Sequence, residues 1–261
     1  MHASLSELIS RVKKPEAQVA LIAHRGGNRV APENTLPAFQ SAVEIGVDLV
    51  ELDVHLTADD RVVVHHDRYA RWLGERKLTI SESTYEELKD VPLAQASPGR
   101  SAEVCIPPLE EVLSLLKGRA VPLVEIKRPK KGYRPLLETK VLEILDSLKM
   151  LDRAMVISFH KEILHRLKSR EPAILVGLLT VSRRILAKRL PGWLDGIGVF
   201  RKILSRRALE RLKNQGKFAF VWTVNDRETM EKFIDYGLDG IATDDPALLR
   251  ALLFERHLQR L

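Results

Sequence analysis

His24 and Arg25 stand together at the end of one short apolar run, and Glu51 and Asp53 alternate within a second. His66 closes a third run, Glu125 and Lys127 flank Ile126 at the end of a fourth, and Trp222 ends a later one. Carboxylates that converge on one place repel each other, and they cannot all stay ionised when withdrawn from water. A divalent cation relieves that conflict, and carboxylate oxygen suits Mg2+, Ca2+ or Mn2+. Glu51, Asp53 and Glu125 are therefore the candidate metal ligands. Structural ion pairing of the same carboxylates with Arg25 and Lys127 is the competing explanation. Histidines exchange protons near neutrality, which makes His24 and His66 the candidates for general acid–base catalysis. Arg25 and Lys127 supply the fixed positive charge that a phosphoryl oxygen needs. With Trp222 they form the expected substrate-binding set. The other six histidines, His2, His55, His65, His160, His165 and His257, are assigned structural roles, although His55 shares a strand face with Glu51.

These residues need a frame. Residues 19–23 form an apolar run rich in β-formers that ends at His24 and is broken by Gly26-Gly27. Residues 33–45 predict a helix, with Leu36, Phe39, Ala42 and Val43 on one face and Gly46 as its stop. Residues 47–56 predict a strand whose alternation puts Glu51, Asp53 and His55 on one face. Only about four residues separate it from the strand-like residues 61–66. A parallel crossover needs a dozen or more, so the two runs must form an antiparallel hairpin. Folding it back sets His66 opposite Leu52, close to Glu51 and Asp53. Residues 68–108 are less regular. Strand-like runs then follow at 121–126, 155–159, 174–180, 196–200, 218–224 and 240–243. Helical patterns lie at 109–116, 136–148, 205–215, 228–236 and 246–257, with a basic helical stretch through Lys188.

Alternation of strands and helices over this length predicts an α/β fold, a TIM-type (β/α)8 barrel, with a doubly wound open sheet as the runner-up. There are nine strand-like runs, so one lies outside the eight staves; the short antiparallel hairpin after the second strand is the candidate. Polar residues at the C-terminal ends of barrel strands face the active site, which is where the residues above fall. No linker or repeat divides the chain. It reads as one barrel domain over 19–261, preceded by an amphipathic helix within 1–18 that caps the barrel bottom.

Composition narrows the partners. The chain has 261 residues, with 42 basic against 35 acidic, a formal charge of +7. Such a field favours anions, although an ion-pair-rich solvated surface explains it as well. No helix-turn-helix, zinc-finger or RNP-type pattern is present, so no nucleic-acid partner is expected. The one cysteine, Cys105, cannot form an internal disulfide. No apolar run reaches 18 residues and the N-terminus lacks a signal-peptide block, which predicts a cytoplasmic protein with no stable membrane insertion. The oligomeric state is not encoded in any pattern.

Several of these stretches resemble the glycerophosphodiester phosphodiesterase family in order and spacing. They are His24-Arg25-Gly26-Gly27, Pro32-Glu33-Asn34-Thr35, Glu51-Leu52-Asp53-Val54, Val64-His65-His66-Asp67, Glu125-Ile126-Lys127, Ser158-Phe159, Trp222-Thr223-Val224-Asn225 and Gly240-Ile241-Ala242-Thr243-Asp244. The resemblance implies a barrel of the phospholipase-C-like kind. It implies hydrolysis of glycerophosphodiesters to glycerol 3-phosphate and an alcohol, with Mg2+ or Ca2+. It also implies His24 and His66 as the catalytic pair, Glu51, Asp53 and Glu125 as metal ligands, and Arg25 and Lys127 as phosphate-binding residues. Attack is expected from the adjacent glycerol hydroxyl, through a cyclic phosphate, or from water directly. A lysophospholipase D and a non-catalytic phosphate-ligand-binding barrel are the rival readings. Two stretches depart from the family pattern, Arg68-Tyr69-Ala70-Arg71-Trp72 and the strongly basic residues 183–190, and the resemblance leaves the head group open.

Overall fold

The computed structural model describes residue 7 and residues 19–71, 77–91, 104–128 and 133–259. Its strands are β1 (Ala20–Ala23), β2 (Leu49–Leu56), β3 (Val62–Val64), β4 (Tyr69–Arg71), β5 (Lys77–Thr79), β6 (Val121–Ile126), β7 (Met155–Ser158), β8 (Leu175–Thr180), β9 (Gly196–Phe200), β10 (Phe218–Trp222) and β11 (Gly240–Thr243). Eight of them, β1, β2 and β6 to β11, run parallel in one sheet. The sheet closes because β1 pairs with both β11 and β2. The expected TIM-type barrel is therefore present. β3 lies outside the staves, antiparallel to β2, with Val54 opposite Val64 and Leu56 opposite Val62.

Strand alternation sorts the core into two shells. One set of side chains, including Ile22, Leu49, Leu123, Ile157, Leu179, Phe220 and Ala242, fills the barrel interior. The other set, including Leu21, Val50, Leu52, Val124, Val156 and Ile241, packs outward against the helices. Interior space is tight. A Cβ on Gly198 would collide with the Phe220 ring and Leu179, so a residue without a side chain lets those two fill the layer.

Continuing the interior parity by two residues carries each strand from core to mouth. Ile22 leads to His24, Leu49 to Glu51 and Asp53, and Leu123 to Glu125 and Lys127. On other strands Ile157 leads to Phe159, Phe220 to Trp222, and Ala242 to Asp244. The polar groups of the mouth are thus the top layer of the same alternation that builds the apolar core.

Local departures from expectation have local causes. The first helix spans Leu36–Ile45 rather than starting at residue 33. The Thr35 hydroxyl accepts the Ala38 N–H and caps it, and Asn34, at φ 57°, is left-handed and cannot belong to the helix. The strand-like run 61–66 is regular only over Val62–Val64, although His65 N–H still donates to the Asp53 carbonyl at 2.9 Å. The basic stretch after β8 is helical only for Arg183–Leu186. β4 and β5 form a separate two-stranded sheet over a small cluster of Val63, Ala70, Ile80, Leu88, Val91 and Ile106. No strand was expected there, because three-residue strands carry too little alternation to read. The expected N-terminal helix lies outside the described residues, apart from Glu7.

Candidate active site

The mouth begins at the end of β1, where the chain turns sharply. Arg25 is left-handed at φ 53°, and Gly26 and Gly27 have φ 83° and 85°. A Cβ on Gly26 would come within 2.9 Å of Ala38 and Phe39. Glycine there lets the turn press against the first helix, which aims the Arg25 backbone N–H at Glu51 Oε2, 2.9 Å away.

Glu51, Asp53 and Glu125 offer oxygens that all lie within 4.8 Å of one another. The register explains the meeting, because Asp53 on β2 stands beside Glu125 on β6. Their environments differ. Asp53 is 0% exposed. It lies 3.2 Å from Arg25 Nε and 2.9 Å from Lys127 Nζ, and it accepts a hydrogen bond from Asn34 Nδ2 at 2.8 Å. Burial opposes its ionisation, but Lys127 and Arg25 outweigh burial and hold its carboxyl below the ordinary range. Glu51 is pushed well up, by burial first and then by Asp53 and Glu125. Glu125 is raised to about 7 by burial, against the pull of Lys127, whose Nζ is 2.8 Å away.

Both competing readings of the carboxylates are therefore partly visible. Asp53 has structural ion pairs. Glu51 and Glu125, which also line the cavity, are left with more negative charge than their surroundings compensate. That residual demand, set in three convergent oxygen donors, fits a hard divalent cation.

The remaining sequence-predicted residues come to the same place. His24, Arg25, His66, Lys127 and Trp222 line a cavity of about 160 Å³ with Glu51 and Glu125. His66 is held from two sides: its carbonyl accepts from His55 Nε2 at 3.1 Å, and its Nδ1 is 3.0 Å from Asp67 Oδ1. Burial, then Lys127, lowers its pKa. His65 points the other way, its Nε2 donating to the Tyr69 carbonyl at 3.2 Å. His55 and His65 thus both hydrogen-bond to backbone carbonyls. Trp222 packs between Phe159 and Phe200. Its buried indole N–H has no partner among the described residues.

One site residue escaped the role assignment. Asp244 Oδ1 lies 2.6 Å from His24 Nδ1. Asn225 Nδ2 donates to Asp244 Oδ2 at 2.6 Å, and Asp244 N–H donates to Asn225 Oδ1 at 2.9 Å. Burial opposes its charge, but the His24 hydrogen bond overcomes burial and holds the Asp244 carboxyl below the usual range. A carboxylate on Nδ1 fixes the ring so that Nε2 faces the cavity. The signal in the sequence was parity: Asp244 stands two residues beyond interior-facing Ala242.

The arrangement places two histidines, two fixed cations and a three-carboxylate cluster around one small cavity. It can bind an anionic ester, neutralise its oxygens and move protons on either side of it.

Comparisons with known proteins agree with this geometry. A glycerophosphodiester phosphodiesterase of Caldanaerobacter subterraneus subsp. tengcongensis is 33% identical over 234 residues, covering 88% of this chain and 95% of that protein. The human lysophospholipase D GDPD1 is 27% identical over 285 residues, covering 94% and 90%. The fold matches a glycerophosphoryl diester phosphodiesterase structure from Silicibacter pomeroyi at a TM-score of 0.85 and 23% identity, covering 96% of this chain and 98% of that one. Residues 24–248 match the glycerophosphoryl diester phosphodiesterase family, and the chain belongs to that family of phosphoric diester hydrolases.

Proposed function

We propose that the protein hydrolyses glycerophosphodiesters to sn-glycerol 3-phosphate and an alcohol, using a divalent cation and a two-histidine acid–base pair. One observation carries this reading: His24 and His66 share a cavity with a carboxylate cluster and with two cations already fixed by ion pairs.

Glu51, Asp53 and Glu125 would hold the cation. When bound, it would supply positive charge beside the phosphoryl group and lower the pKa of the attacking hydroxyl. Arg25 and Lys127 then bind the phosphoryl oxygens. Their contacts with Asp53, Glu33 and Glu125 hold them in place beforehand, so little reorganisation is needed. His66, kept neutral by burial and by Lys127, accepts the proton of the attacking hydroxyl. His24 donates to the leaving alkoxide, and Asp244 holds its ring through Nδ1. Where the attacker is the adjacent glycerol hydroxyl, water then opens the cyclic phosphate with the histidine roles reversed; where it is water, glycerol 3-phosphate forms directly.

The test is product release from glycerophosphocholine after EDTA treatment, followed by addition of Mg2+, Ca2+ or Mn2+. Metal-restored formation of glycerol 3-phosphate is expected. A folded sample that turns over equally well in EDTA would sink the metal-dependent reading.

A second reading, acceptance of a lysophospholipid, is favoured by the wall opposite the carboxylates. It consists of Ile157, Phe159, Leu179, Phe220 and Trp222, which suits the start of an acyl chain. Turnover of lysophosphatidylcholine against glycerophosphocholine separates the two.

A further inference from the structure

The positive charge of this protein is not spread evenly. Residues 181–217 carry eleven Lys and Arg against two Asp and Glu, while the rest of the chain carries thirty-one against thirty-three. The whole excess therefore resides on the flank formed between β8 and β10. Elsewhere several cations find acids: Arg134 pairs with Asp60, Arg227 with Glu255, and Arg256 with Asp235. On this flank Arg183, Arg184, Lys188, Arg189, Lys202 and Arg207 are exposed and form no ion pair among the described residues.

The layout is continuous. Arg183, Lys202 and Arg207 line one groove of about 380 Å³, and Lys188 and Arg189 line a second of about 460 Å³. Arg211 lies on both. Arg183 and Lys202 follow the C-terminal ends of β8 and β9, so the strip starts at the barrel mouth. Exposed apolar side chains stand at that edge: Val181 is 58% exposed and Phe159 is 41% exposed. Phe159 also lines the cavity.

We propose that this flank is a docking face for an anionic phospholipid bilayer, with Val181 and Phe159 entering the headgroup layer and the barrel mouth turned toward the membrane. Unpaired cations are drawn to an anionic leaflet, and apolar tips beside them gain by leaving water. A nucleic acid would answer the charge but would leave Val181 exposed. Docking of this kind is peripheral and needs no spanning segment; no helix among the described residues is long and apolar enough to cross a membrane.

The experiment is co-sedimentation of the intact protein with vesicles of phosphatidylcholine alone or with about one third phosphatidylglycerol. Binding is expected only to the anionic vesicles and should be lost in about 0.5 M NaCl. The quadruple variant R183E/R184E/K202E/R207E should bind at least 100-fold more weakly, at about fivefold per removed charge. Its turnover of soluble glycerophosphocholine and its melting temperature should be unchanged. Val181→Ser should weaken binding severalfold without altering the salt response. The control K117E/R119E reverses two cations just before β6 and should bind normally. The proposal is overturned if wild type does not prefer anionic vesicles, or if the control loses as much per charge as the flank variant. It is also overturned if the flank binds a single-stranded oligonucleotide but no vesicle. Vesicle binding is read without catalysis, so its outcome is independent of the proposed reaction.

Discussion

The two halves of the barrel mouth are built on opposite terms. The half formed by β1, β2, β6 and β11 carries His24, Arg25, Glu51, Asp53, Glu125, Lys127 and Asp244, nearly all of them tied to one another by hydrogen bonds or ion pairs. The half formed by β7, β8 and β10 presents Ile157, Phe159, Leu179, Phe220 and Trp222, with a single unpartnered N–H. The first half is over-determined, because moving one charge disturbs several neighbours. The second is held by packing alone and can change shape with little electrostatic consequence. On the proposed function, reaction chemistry would belong to the first side and choice of alcohol to the second.

The strongest way to break this division is to remove the proton carriers. His24→Ala and His66→Ala should each lower kcat on glycerophosphocholine by about 10²–10⁴. Near wild-type turnover in either would leave the polar half without its acid–base role. Asp244→Ala should cost less, about 10–100-fold in kcat, the range found when a partner that orients a site ligand is lost. KM should stay near its wild-type value, because Asp244 contacts His24 and is not part of the cavity lining. A rise in KM with kcat held would show that Asp244 does not act through His24.

The apolar half should answer differently. Phe159→Ala removes roughly 1 kcal/mol of contact, a roughly fivefold rise in KM with kcat held. A drop in kcat instead would mean that this wall shapes the reacting geometry and that the halves are not separable.

The smallest effect is in stability. The folded state raises Glu125 to about 7, so in the metal-free protein it binds a proton more tightly than the unfolded chain does. Its contribution is present at low pH and is lost as pH rises from about 4.5 through about 7. His55, lowered to about 4 by burial, acts in the opposite sense, so the comparison must be with a variant. In EDTA, wild type should lose a few degrees of melting temperature relative to Glu125→Gln between pH 5 and pH 8. Added Mg2+ should recover more of wild type at pH 8 than at pH 5. Parallel melting curves for the two proteins would show that Glu125 carries no such strain.

Much of this was legible beforehand because alternation is a local signal. Residues 121–126, 196–200 and 240–243 read directly as strands, and the four-residue turn at 57–60 forced the hairpin that places His66. The proposed ligands were visible because two-residue steps along β2 and β6 set Glu51, Asp53 and Glu125 on the interior face. What stayed hidden depends on distance or brevity. Asp244 and His24 are 220 residues apart, and their contact exists only once β11 lies against β1. The β4–β5 sheet is too short to show a period. The expected helix through Lys188 stops after one turn because a short segment gains little from helix propagation and Pro191 soon follows.

The meeting of β1 with β11 also has a meaning for how activity arises. The first stave leaves the ribosome early and the last leaves late, yet the ring of His24 is oriented by a side chain on the segment that follows β11. A chain in which β11 has not paired with β1 lacks the Asp244 contact at His24. On the proposed function, closure of the barrel is thereby the step that completes the acid–base side of the site.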